Sequence, residues 1–149
     1  MQLLSIHTGN FKLDGGAMFG VVPKQIWNKL NPADENNLCT WALRCLLVIE
    51  GDRKILIDTG MGNKQDAKFM GHYHLSDTRT LKECLADFQL DMADITDVLL
   101  THLHFDHVGG AVELKDNQLV LSFPMLLIGL VSPNGKLLNT PIKEKKHHS

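Results

Sequence analysis

The sequence predicts a mixed α/β (α+β) fold in a single domain, and three stretches carry that prediction. Residues 41–50, WALRCLLVIE, and 54–60, KILIDTG, are β-branched and leucine-rich runs on either side of GDR, a tight turn, so they form a hairpin. Residues 80–90, TLKECLADFQL, place Leu81, Cys84, Leu85 and Phe88 at i, i+3, i+4 and i+7, one apolar stripe of a helix. Residues 94–102, DITDVLLTH, end in an apolar run at 98–101 that suits a short buried strand. The length of 149 residues is usual for one domain. At that size roughly 68–70% of the unfolded surface is buried.

The other elements follow in order. Residues 3–13 form a strand that runs into a turn at Gly15 and Gly16. GAMFGVVPKQIW is an apolar loop ended by Pro23, with a short helical piece around Trp27. NPADENN, 31–37, is turn chemistry, because Asn, Pro and Asp each favour turns for a local reason. From 61 to 79 the chain is polar and irregular, and Gly60, Gly62 and Gly71 suit a flexible loop. A helix is expected to begin near Gly109 and Gly110. No repeat or low-complexity segment interrupts this order.

Composition excludes several classes. Hydrophobic residues are 44% and charged residues 21%, an ordinary globular mixture. A net charge of −2 argues against a nucleic-acid-binding surface, which carries a basic excess or stripe. The start, MQLLSIHTGN, has neither the basic nor the apolar region of a signal peptide. The most apolar stretch, 119–131, is broken by Ser122, Pro124 and Gly129 and falls short of the ~20 residues of a membrane helix. Cys39, Cys45 and Cys84 form no C-x-x-C pair and suit reduced, buried thiols. The expectation is a soluble, cytoplasmic protein with no nucleic-acid or membrane partner.

Chemistry concentrates in THLHFDHVGG, 101–110, where His102, His104, Asp106 and His107 fall within six positions. Alternate side chains of an extended segment share a side, so His102 and His104 face one way, and Leu103 and Phe105 face a core. Asp106 and His107 come at the next bend and turn back to the same cavity. Imidazole and carboxylate are ligands that zinc, iron and manganese all accept. Burying these groups with no partner costs about 1–3 kcal/mol for each unpaired one. The cluster therefore reads as a two-metal centre.

This pattern, H-x-H-x-D-H, resembles the signature of the metallo-β-lactamase superfamily. ILIDTGMG, 55–62, is similar to that family's strand ending in an Asp-Thr-Gly turn beneath the site. LDGGAMFGVVPKQIW and NNLCTWALRCLLVIEGDRKILIDTG resemble the branch of N-acyl-homoserine lactonases, the quorum-quenching hydrolases. The resemblance covers about residues 5–124. It implies the N-terminal half of an αββα sandwich with a dinuclear metal site, two Zn2+ per complete site, or iron or manganese. His102 and His104 would ligate one ion, and Asp106 and His107 the other. Asp58 would organise the site loops by hydrogen bonds from outside the ligand set. The implied activity is hydrolysis of an ester, lactone or thioester by a metal-bound hydroxide. Asp106 would help to deliver a proton to the leaving group. Phe19, Tyr73 and His74 are candidates to border a small-molecule substrate, with Val21 and Trp27 as further candidates for an apolar wall. A homodimer is compatible with this reading.

The chain departs from the family after the cluster. The family supplies two later histidines and a bridging aspartate. The later residues of those types here are Asp116, close behind the motif, and His147 and His148, in a polar tail. The family-like sequence stops near Phe123 and Pro124. Residues 108–149 carry five Lys against three Asp/Glu, whereas 1–107 carry ten Lys/Arg against fourteen Asp/Glu. The expected organisation is 1–124, part of a metallo-β-lactamase-like domain, and 125–149, a divergent tail, frameshifted or disordered, with a frayed basic end. Half a sandwich would leave the sheet side chains of 41–50, 54–59 and 97–101 partly exposed and the chain marginal or aggregation-prone. Two alternatives accompany the hydrolase reading: an inactive truncated remnant with an incomplete metal site, and a binding module completed by a partner chain.

Overall fold

The computed structural model describes residues 1–123, together with the strand backbones of 126–131 and 137–142. Strand β1 (Gln2–Asp14) pairs antiparallel with β2 (Leu38–Glu50) along almost its whole length. The register shifts between His7 and Gly9, leaving Thr8 as the extra residue of a bulge. This is why Ile6 and Phe11, an odd number of residues apart, are both buried on one face. Gly9 allows the bulge, with φ of 136° and backbone of Ser76 and Thr78 3.0–3.1 Å from where a Cβ would be. Two short helices, α1 (Gly15–Phe19) and α2 (Lys24–Trp27), lie between β1 and β2. On β2 the odd positions Cys39, Leu43, Cys45 and Leu47 are buried, the period of two expected of a half-buried strand.

The predicted hairpin is present. Glu50 pairs with Arg53 at the start of β3 (Arg53–Ile57), so the turn proper is Gly51 and Asp52, with Gly51 at φ 57°. β4 (Asp97–Leu100) lies parallel to β3. The crossover between them carries α3 (Ala67–Gly71), α4 (Leu81–Ala86) and a 3-10 turn (Met92–Asp94). The segment 61–79 is therefore more ordered than its polarity suggested. Asp66 caps α3 by accepting from Phe69 N at 2.7 Å. The same segment lines the outer edge of β1. Asn10 and Ser76 exchange backbone hydrogen bonds at 2.8 and 3.0 Å, and Lys12 N donates to Tyr73 O at 2.7 Å.

Thr80 and Glu83 form a reciprocal capping box that starts α4. The helix is shorter than its stripe. It ends at Ala86, and Gln89, at φ 60°, turns the chain, so Phe88 lies past the helix and is 38% exposed. Cys84 and Leu85 press onto Ile6, Cys45, Leu47, Leu56, Val98 and Leu100, with Ile95 and Phe123 closing the core. Each fully buried aliphatic side chain there stabilises the fold by about 1.5–3 kcal/mol.

A one-turn helix α5 (Phe105–Val108) starts inside the histidine cluster rather than near Gly109, which instead opens a 3-10 turn (Gly109–Ala111). The hairpin β5 (Val112–Lys115) and β6 (Gln118–Leu121) follows, turning on Asp116 and Asn117 at φ 50° and 61°. Residues 125–149, set apart in sequence, include β7 (Leu126–Val131) and β8 (Leu137–Ile142). β7 runs parallel to β4, and the six-stranded sheet is ordered β1-β2-β3-β4-β7-β8. Pro124 and the basic end at 143–149 lie outside the described residues. The opposite face of the sheet carries Leu46, Val48, Ile55, Ile57 and Leu99, which remain half-buried, and Leu3, which is 57% exposed.

Candidate metal centre

The cluster forms where the parallel pair β3 and β4 ends. Asp58 N still donates to Leu99 O at 2.9 Å, the last rung of that ladder. Asp58 itself takes a left-handed φ of 60°, unusual for a residue with a side chain. The chain then turns through Thr59 and Gly60 and zips against the end of the cluster. Thr59 N and Oγ1 both donate to His107 O, at 2.7 and 3.0 Å, and Gly110 N donates to Gly60 O at 3.0 Å. Gly62 and Gly109 touch backbone to backbone, and a Cβ at either would collide with the other loop. Lys64 Nζ donates to Gly109 O at 2.5 Å, and its partial burial lowers the lysine pKa. The Asp-Thr-Gly turn is thus the template against which α5 is held.

The side chains follow this frame. Asp58, 7% exposed, accepts from Thr101 N at 2.9 Å through Oδ1 and from His107 Nδ1 at 2.7 Å through Oδ2. His104 is the N-cap of α5, and its carbonyl accepts from His107 N and Val108 N. Asp106 Oδ2 lies 3.4 Å from His107 Nε2. The imidazole centroids of His102 and His104 are 4.5 Å apart, and those of His102 and His107 are 4.0 Å apart. Three rings and one carboxylate therefore gather at one sheet edge, with the Asp58 carboxylate behind them. Among the described residues, no three His, Cys, Asp or Glu side chains converge as a group that could hold one ion.

Leu103 does not face a core. It is 64% exposed, because β4 has ended at Leu100 and the strict alternation of a strand no longer applies at 101–104. Phe105 does turn inward. It packs on Tyr73 and Phe69, with centroids 4.6 and 5.4 Å away, beside Met61, Phe11 and Leu43. Tyr73 thus reaches the residue between His104 and Asp106. His74 is exposed at φ 44°. Phe19 stacks on Trp27 at 4.8 Å and tilts against Trp41 at 5.6 Å. Trp27 is a core residue at 4% exposure, and Val21 is fully exposed. Reading the sequence missed Thr59, Lys64 and Thr101. Thr59 and Thr101 directly follow Asp58 and precede His102, which was the available signal. Asp116 sits in the β5–β6 turn, and His147 and His148 lie outside the described residues.

The profile of the metallo-beta-lactamase superfamily matches residues 44–136, more than half of the 149. The chain belongs to the metallo-beta-lactamase superfamily. A probable metal-dependent hydrolase from Staphylococcus aureus superposes with a TM-score of 0.79 at 32% identity, over 90% of this chain and 47% of that one. AidC, a dizinc quorum-quenching lactonase solved with a product, superposes at 0.59 with 30% identity, over 85% of this chain and 40% of that one. The hydrolase AbOPH, of the beta lactamase superfamily, gives 0.61 at 25% identity, over 90% and 42%. This superfamily member thus spans about half the length of the structures it matches. No curated protein matches it significantly. The mixed sheet and its partial coverage fit an N-terminal half of the metallo-beta-lactamase fold. None of the helices among the described residues is long and apolar enough to cross a membrane.

Proposed function

We propose that the chain carries half of the ligand set of a dinuclear metallohydrolase centre acting on the carbonyl of a small ester, lactone or thioester. The observation that carries this reading is the gathering of His104 and His107 about His102, ring centroids 4.5 and 4.0 Å away, with His107 bonded to the buried Asp58. The donor chemistry fits zinc, with iron and manganese accepting the same nitrogen and oxygen ligands. His102 and His104 would hold one ion, and Asp106 and His107 the other. That is two donors per ion, in keeping with the lack of a three-donor group among the described residues. Divalent ions, when bound, would supply Lewis acidity to polarise a carbonyl and acidify water.

The chain's own residues have separable roles. Asp58 orients His107 through Nδ1, which turns Nε2 toward Asp106 Oδ2, 3.4 Å away. Asp106, beside that ring, would help to deliver a proton to the leaving oxygen. Phe105 and Tyr73 offer an apolar surface next to the cluster, and Phe19, against Trp41, and His74, next to Tyr73 in the chain, are the further candidates to border a substrate. Lactones are favoured as substrates because a dizinc lactonase is among the similar structures. Three free, buried cysteines suit a reducing, cytoplasmic setting.

The two-donor count favours a second reading, in which a partner chain or homodimer contact completes the centre, or in which an inactive remnant keeps only this half. The metal-to-protein ratio after dialysis against metal-free buffer decides. A ratio near two, with chelator-sensitive lactone or ester hydrolysis, supports the hydrolase. A ratio well below one leaves an incomplete site.

A further inference from the structure

We propose that Thr101 is a positioning residue: its hydroxyl relays the Asp58 carboxylate to His102, so one buried carboxylate sets the ring tautomer in both halves of the cluster. The inference rests on reading His102 and His107 as metal ligands. Thr101 Oγ1 lies 3.0 and 2.8 Å from the two Asp58 oxygens and 3.0 Å from His102 Nδ1. An ionised carboxylate can only accept, and a hydroxyl has one hydrogen to give. That hydrogen must go to Asp58. Were it turned to His102, the hydroxyl lone pairs would face a carboxylate at 2.8 Å. The remaining contact is then satisfied in one way only: His102 Nδ1–H donates to Thr101 Oγ1.

The consequence is a tautomer. His102 carries its proton on Nδ1 and presents the Nε2 lone pair, because the hydrogen bond made by one ring nitrogen decides the state of the other. His107 does the same by direct contact, since its Nδ1 is 2.7 Å from Asp58 Oδ2. His102 and His107 belong to different ions in the proposed centre. Their rings are 4.0 Å apart, and both answer to Asp58, one through Thr101 and one directly. Thr101 N also donates to Asp58 Oδ1, so the relay residue is fixed at its backbone as well as at its hydroxyl.

The test is ring-nitrogen NMR on the metal-free 149-residue chain at pH 8, with Thr101→Val and Thr101→Ser alongside. In the parent chain, His102 and His107 are both expected as the Nδ1–H form. Thr101→Val removes the hydroxyl at nearly constant shape and shifts His102 toward the Nε2–H form, leaving His107 unchanged. Thr101→Ser restores His102. Zinc affinity is expected to fall about 10-fold or more in Thr101→Val and to recover in Thr101→Ser. An Nε2–H His102 in the parent chain overturns the proposal without any variant, so it stays decidable if Thr101→Val does not fold. An unchanged tautomer in a folded Thr101→Val also overturns it. Failure of the parent chain to bind zinc would sink the hydrolase reading, while the tautomer result would still stand or fall by itself.

Discussion

Asp58 and His107, 49 positions apart, are joined by a 2.7 Å hydrogen bond between a buried carboxylate and a ring nitrogen. The bond links the end of β3 to the one-turn helix that presents Asp106 and His107. Such a helix cannot hold itself in water, because nucleation is costly and one turn makes few bonds. Its order therefore comes from the Asp-Thr-Gly turn.

Asp58→Asn tests this directly. Asparagine tolerates the left-handed φ of 60°, so the backbone is spared. The charge is lost, and one acceptor oxygen replaces two. Stability in a denaturant titration is expected to drop by about 1–3 kcal/mol. An unchanged midpoint would show that the carboxylate does not hold the two loops together.

Glycine substitutions separate backbone strain from collision. Gly51→Ala meets open space and bears only its positive φ, costing about 1 kcal/mol. Gly62→Ala and Gly109→Ala place a methyl against the backbone of the facing loop, and backbone cannot swing aside as a side chain can. Both are expected to lose several-fold more stability than Gly51→Ala in thermal unfolding. Equal losses at the three sites would show that the two loops are not in backbone contact.

Lys64→Met removes the ammonium that closes the α5 end through Gly109 O. A cation at the C-terminal end of a helical turn satisfies a free carbonyl. The expected loss is about 1 kcal/mol of stability, with amide exchange of Val108 to Ala111 speeding up before that of β2. Unaltered exchange in that segment would leave Lys64 a surface contact.

Alkaline pH should weaken the fold through Cys45. Burial pushes its thiol up to about 12 from 9.0. A raised folded pKa means that its contribution is complete below 9 and is lost as pH rises toward 12, because the unfolded chain ionises first. The contribution lost by pH 10.5 is about 2 kcal/mol. Cys45→Val should flatten that part of the pH profile. A decline of equal steepness in both proteins would assign it to other groups.

Much of this was legible in local sequence. The hairpin at 41–60 follows from apolar runs around Gly51 and Asp52, and α4 from the stripe and its Thr80–Glu83 box. Period and turn chemistry are short-range signals, so no tertiary context is needed. Two helix limits were not legible. The end of α4 depends on Gln89 turning left-handed, and α5 stops after one turn because Thr59 captures the His107 carbonyl that a continuing helix would use. The Asp116–Asn117 hairpin was legible in principle, since such pairs favour the φ > 0 turn it uses.

For the candidate site, the sequence by itself determined the identity and spacing of His102, His104, Asp106 and His107, and the Asp-Thr-Gly turn. Ligand chemistry depends on residue type, and six consecutive positions cannot be far apart. Only the tertiary structure decided that the turn at 58–60 is the template for α5. It also decided that Leu103 faces solvent and that Thr101 stands between Asp58 and His102. The Asp58–Thr101, Thr59–His107 and Asp58–His107 contacts span 43, 48 and 49 residues of chain, and they form when β3 and β4 pair in parallel and bring their ends together. Spacing along a sequence carries no record of which strand ends meet.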